Sequence, residues 1–96
     1  MPRTQAPLIA VLSNAAGDHP ATLFDVSGTG ARLCGQFLPA VGQQMAFRAE
    51  DVRATVHVIW STGQRCGVEF ETPLSIAEVD GLRRSASRKA QFDSED

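Results

Sequence analysis

Apolar residues recur mostly at every second position, in short runs broken by glycine, proline and asparagine. That alternation marks strands with one face turned to a core. Leu8–Leu12 is a compact apolar run, and Asn14 to Pro20, with Gly17, Asp18 and Pro20, reads as a turn. Ala21–Val26 alternates, with Ala21 and Leu23 on one face and Phe24 and Val26 on the other. Gly28 and Gly30 punctuate a tight connection, and Ala31–Cys34 resumes a strand that Gly35 ends. Phe37 to Gly42 reads as a loop, with Phe37, Leu38 and Val41 supplying its packing. Gln43–Arg48 carries Met45 and Phe47 as its apolar pair, and Glu50-Asp51 forms a polar turn. Val52–Trp60 is the clearest strand: Val52, Ala54, Val56, Val58 and Trp60 share one face, and Arg53, Thr55, His57 and Ile59 the other. Ser61–Gln64 turns the chain into a last strand, Arg65–Glu71, in which Cys66, Val68 and Phe70 face one way and Arg65, Glu69 and Glu71 the other.

The period then changes. Pro73 precedes Ser75-Ile76-Ala77-Glu78, a capping box with serine at the N-cap and glutamate three residues on. Ile76, Val79, Leu82 and Ala86 recur at helical spacing, which predicts one helix over about 75–89, weakened at Gly81 and followed by a frayed acidic tail, 90–96. Six short strands at this spacing suit a sandwich or a small barrel, and a barrel leaves no exposed edges. The expected fold is therefore mostly β: one domain over residues 1–96, with a six-stranded antiparallel β-barrel over about 7–72 and a C-terminal α-helix. A chain of 96 residues with 43% hydrophobic content is enough for one modest core.

Composition narrows the function. No run approaches the roughly 20 apolar residues of a membrane span. The polar start and five-residue apolar run fall short of a secretion signal, whose core takes about 7–15, so a cytoplasmic protein without membrane insertion is expected. A net charge of −2 disfavours general binding to DNA or RNA. A small anionic ligand needs only a local positive cluster, and eight of the nine basic residues are arginine, the side chain suited to bidentate contact with phosphate and guanine. Cys34 and Cys66 match no metal-ligand spacing and read as buried free thiols. Neither His19 nor His57 stands beside a nucleophile or a carboxylate pair. No enzyme, metal or cofactor is expected.

The most informative segment is Leu23-Phe24-Asp25-Val26-Ser27-Gly28-Thr29-Gly30-Ala31-Arg32-Leu33. Its D-x-S-x-x-G pattern, Asp25, Ser27 and Gly30, places a carboxylate and a hydroxyl two residues apart, on one side of a strand. The glycines allow a turn and leave room for a flat ligand. A serine turn closing a hairpin has the same spacing. Two further features follow in order: a hydrophobic strand ending in Trp60 before a glycine-containing turn, and Gly67-Val68-Glu69-Phe70 followed by Pro73-Leu74 and a helix. Together these resemble the PilZ family, bacterial receptor domains for cyclic di-GMP, over about residues 3–90.

The resemblance implies a six-stranded barrel with a C-terminal helix, and a cyclic di-GMP site at Asp25, Ser27, Gly28 and Gly30. In the family an R-x-x-x-R motif just before the first strand grips phosphates and guanine faces. Here Arg3 matches the second arginine, and the first would fall before Met1. Arg32 and Arg65 are candidates to add positive charge on the same barrel face. Arg84 and Arg88, with Arg83 and Lys89, make a basic patch on the helix. Trp60 reads as a core or barrel-rim aromatic. Two functions follow from the resemblance. One is a non-catalytic cyclic di-GMP receptor, binding through Arg3, Asp25, Ser27, Gly28, Gly30 and Arg32 and signalling to a protein partner. The other is a degenerate PilZ-like adaptor that works through protein contacts alone.

Overall fold

The computed structural model describes the backbone over residues 8–93 and the side chains over residues 8–85. Six strands, β1 (Leu8–Asn14), β2 (Gly17–Val26), β3 (Gly30–Cys34), β4 (Gln44–Ala49), β5 (Val52–Ser61) and β6 (Arg65–Phe70), precede one helix, α1 (Ile76–Asp93). All neighbouring strands are antiparallel, and they close into a barrel in the order β1-β2-β3-β6-β5-β4, with β4 pairing back onto β1. Closure gives every strand two partners, so the sheet has no free edge.

Alternation fills the interior. Leu8, Ala10 and Leu12 of β1, Met45, Phe47 and Ala49 of β4, and Cys66, Val68 and Phe70 of β6 are all buried. The Phe47 and Phe70 rings meet edge to face at 5.3 Å, a favoured geometry for an aromatic pair. α1 closes one mouth of the barrel with Val79 and Leu82. Leu38, in the β3–β4 connection, packs at the other mouth, where its amide donates to the Gly63 carbonyl.

Several expectations change. β2 starts at Gly17, and its pairing with β1 runs to Asn14↔Gly17, so the predicted turn over 14–20 shrinks to Ala15-Ala16. Pro20 fits because its carbonyl is turned toward Gly35, past the Thr22↔Cys34 end of the β2–β3 ladder. Its missing N–H on that side breaks no rung. Phe37 and Val41 do not pack: they are 84% and 60% exposed, and only Leu38 turns inward. Ile76 is exposed, so the helix docks through Val79 and Leu82. The helix runs to Asp93, past the predicted end and into the segment expected to fray. Cys66 is buried, but Cys34 is only half-buried, and both are free thiols.

Candidate functional site

Two β-bulges shape the outer face of the barrel. In β2 the register slips between Leu23, opposite Leu33, and Asp25, opposite Arg32, leaving Phe24 as the extra residue. Strict alternation would put Asp25 on the core side with Leu23. The bulge turns Phe24 and Asp25 outward together and returns Val26 to the core, which corrects the expected pairing of Phe24 with Val26. The energetic reason is plain: an ionised carboxylate in an apolar barrel costs far more than a half-exposed phenyl ring. A second slip, between Val58↔Val68 and Trp60↔Gly67, makes Ile59 the extra residue of β5. It moves Trp60 off the core side, where alternation had placed it, to the outer face at 39% exposure.

The two slips align four residues across four strands: Asp25 opposite Arg32, Arg32 opposite Gly67, and Gly67 opposite Trp60. Arg32 donates from Nη2 and Nε to Asp25 Oδ2, at 2.6 and 3.1 Å. Both side chains are about half exposed, 56% and 50%, so solvent screens the pair. Arg32 retains further N–H donors beyond those two. The indole of Trp60 lies over Gly67: a Cβ added there would approach Nε1 and sit 2.6 Å from Cε2. Gly67 is thus a seat for the ring, and the strand row ends in an aromatic surface.

Ser27 organises the connection from β2 to β3. Its amide donates to the Gly30 carbonyl at 2.9 Å, and its Oγ accepts from the amides of Thr29 and Gly30 at 3.4 and 3.3 Å. The hydroxyl therefore builds the turn as well as facing the depression. Gly30 is needed for close packing, because a Cβ there would sit 2.5 Å from the Val68 carbonyl oxygen. Neither Gly28 nor Gly30 has a positive φ. Gly28 backs the site instead of lining it; its carbonyl accepts from the Leu74 amide at 2.8 Å. Arg83 of α1 braces the same corner, donating to the Val26 carbonyl at 2.9 Å.

The result is a shallow depression of about 210 Å³ on the barrel's outer wall, whose lining includes Asp25, Ser27, Gly30, Arg32, Trp60 and Gly67. The fold thus brings together four of the residues expected from sequence, Asp25, Ser27, Gly30 and Arg32. Arg3 lies outside the described residues, as do the side chains of Arg88 and Lys89. Trp60 and Gly67 belong to the face but were not among the expected site residues. The legible signal was a lone tryptophan ending a strand, with a glycine in the strand that returns beside it. Beneath the row, burial pushes the Cys66 thiol above its ordinary value. Cys66 pairs with Leu33 on the core side of β3, so it faces away from the depression.

The face offers a carboxylate acceptor, guanidinium donors, a hydroxyl and a flat indole within one row and its flanking turn. That set can accept and donate hydrogen bonds and support a flat ring. Among the described residues no helix is long and apolar enough to cross a membrane. A family model, the PilZ domain, matches residues 1–88. No curated protein matches the chain.

Proposed function

Because the chain belongs to the PilZ domain family, we propose that it is a non-catalytic receptor for cyclic di-GMP and that the Asp25–Arg32–Gly67–Trp60 row is where the ligand docks. The register of that row is the observation that carries the reading. A guanine edge presents N–H donors, which suit the Asp25 carboxylate, and O6/N7 acceptors, which suit the remaining N–H groups of Arg32. The exposed face of the Trp60 indole supports the base plane by stacking. The Ser27 hydroxyl, at the rim, is a donor for a phosphate oxygen. Arg3 adds a further cation to the same ligand.

Hydrogen bonds order the row and its flanking turn before any ligand arrives. Asp25 and Arg32 are held by each other, and the turn is held by Ser27, Leu74 and Arg83. A preorganised surface loses little conformational freedom on binding. The turn and α1 are joined by the Gly28–Leu74 and Val26–Arg83 hydrogen bonds. Ligand that holds this turn in place therefore also steadies α1, and with it a surface that a protein partner reads.

The test is calorimetric titration with cyclic di-GMP at low salt, wild type beside Asp25→Ala. Saturable binding in the wild type and none in the variant is the expected result. The alternative is a PilZ-like adaptor that binds no nucleotide, and one observation favours it. Phe37 is 84% exposed and holds a left-handed backbone, φ 58°. Its carbonyl lies 3.0 Å from His19 Nδ1, and the next residue, Leu38, is anchored in the barrel mouth. An exposed aromatic ring carried on a strained, anchored backbone suits a protein contact. Absence of heat with ligand at high micromolar concentration would support that reading.

A further inference from the structure

The β2 bulge exposes Phe24 to 46%. Two cations converge on its ring. The guanidinium carbon of Arg32 lies 5.5 Å from the ring centroid and that of Arg65 lies 5.9 Å from it. Both are within the range of cation–π attraction. The two arginines reach the ring from different strands. Arg32 is opposite Gly67, and Arg65 is two residues before Gly67 on β6, opposite Cys34. Phe24 therefore gives both charges a common contact on the outer face.

The two charges are not equivalent. Asp25 neutralises Arg32 through a 2.6 Å ion pair. Among the described residues no carboxylate lies within ion-pair distance of Arg65. The patch Phe24–Asp25–Arg32–Arg65 thus carries one uncompensated positive charge, resting on an aromatic ring beside the Asp25–Arg32 pair that lines the depression. A guanidinium resting on a ring has its N–H edge free, and that edge matches a phosphate geometrically.

We propose that Arg65, positioned by Phe24, is a phosphate-binding residue of this site, taking one phosphodiester of the cyclic dinucleotide while Asp25 and Arg32 take a guanine edge. The inference rests on the receptor reading above and adds to it a residue and a role. It also gives the bulge a second purpose. The bulge exposes Asp25 and, in the same step, supplies the ring that orders an arginine on the neighbouring strand pair.

The test titrates cyclic di-GMP into wild type, Asp25→Ala, Arg65→Gln, Phe24→Leu and Arg53→Gln, at low and at physiological salt. Arg53 is an exposed arginine of β5 opposite Arg48, remote from the row, and controls for net charge. Arg65→Gln is expected to weaken binding about tenfold, the usual scale for one charge-assisted contact. It should also flatten the salt dependence, because one screened attraction is gone. Phe24→Leu, which keeps both arginines but removes the ring, should weaken binding less, and Arg53→Gln should match wild type. If Arg65→Gln binds like wild type at both salts while Asp25→Ala does not bind, the Arg65 assignment is overturned and the receptor reading stands. Equal losses in Arg65→Gln and Arg53→Gln would also overturn it, as an effect of charge alone. Wild type that takes up no ligand at high micromolar concentration would overturn both.

Discussion

Gly30 shows how a single position is fixed by a neighbour distant in sequence. Its backbone needs no glycine-only conformation, yet a methyl group there would sit 2.5 Å from the Val68 carbonyl oxygen, which is main chain and cannot rotate away. Gly30→Ala should therefore push β3 from β6 and lower stability by about 1–3 kcal/mol, the scale of overpacking. Chemical denaturation would show a reduced midpoint with an unchanged slope. In the sequence this glycine was legible as a turn signal; its contact with Val68 was not, because the contact exists only once β3 and β6 pair. The two cysteines divide in the same way. Both sit in strands and look alike in sequence, but Cys66 is buried and Cys34 half-buried. Burial pushes the Cys66 thiol up, so the folded state favours the protonated form. That preference is fully present below the ordinary cysteine value, about 8.5, and is lost as pH rises through the higher folded value. Thiol labelling of native protein near pH 8 should modify Cys34 readily and Cys66 only at the rate of unfolding. Equal labelling rates would refute the burial argument.

At the scale of elements, what could be read ahead was whatever depends on local order. The capping box of α1 is formed as written: the Ser75 amide donates to Glu78 Oε1 at 2.9 Å, and the Glu78 amide to Ser75 Oγ at 3.1 Å. The strands and the C-terminal helix follow from hydrophobic period together with the turn and capping residues that bound them. The two bulges did not, and they decide the site. A bulge arises from competition between strands over which residue must face water, so its cause lies partly in the partner strand. A reader of β2 alone sees Phe24 and Val26 two apart and assigns them one face. The cost of burying Asp25 overrules that pattern. For the same reason Trp60, in step with Val52, Val56 and Val58, reads in sequence as sharing their face, and only the slip after Val58 turns it to the site. The docking of α1 was equally hidden. Arg83 reads in sequence as part of a basic patch on the helix, yet its guanidinium donates to the Val26 carbonyl at 2.9 Å, next to the Ser27 turn. Arg83→Met keeps much of the stem and removes the hydrogen bond. The loss of one charge-assisted, partly buried bond should cost about 1.5–3 kcal/mol at most. It should appear first as faster amide hydrogen exchange in α1, with β1 to β6 still protected. Uniform acceleration across the barrel would mean that α1 does not open as a separate unit.

For the molecule as a whole, the barrel separates what holds the fold from what meets a ligand. The core is the inward half of every strand, capped by Val79 and Leu82 at one mouth and Leu38 at the other. The candidate site is the outward half of β2, β3, β6 and β5, and its polar residues pair with each other, not with the core. Asp25 can therefore be removed with little damage to the fold, since its ion pair with Arg32 is half exposed and worth little on its own. This gives the receptor and adaptor readings different thermal signatures. A ligand that binds only the native state raises stability by mass action, about 2.7 kcal/mol at a hundredfold excess over Kd. In a domain of this size each kcal/mol shifts Tm by about 4–8 °C. Cyclic di-GMP should thus raise the wild-type Tm by roughly 10 °C or more, with the rise growing logarithmically with ligand concentration. Asp25→Ala should start from nearly the same Tm without ligand and stay there when ligand is added. A wild-type Tm that is flat over the same range would remove the receptor reading and leave Phe37, exposed at the other end of the barrel, as the surface to pursue. A Tm that rises equally in both proteins would mean that the ligand binds elsewhere than the Asp25 row.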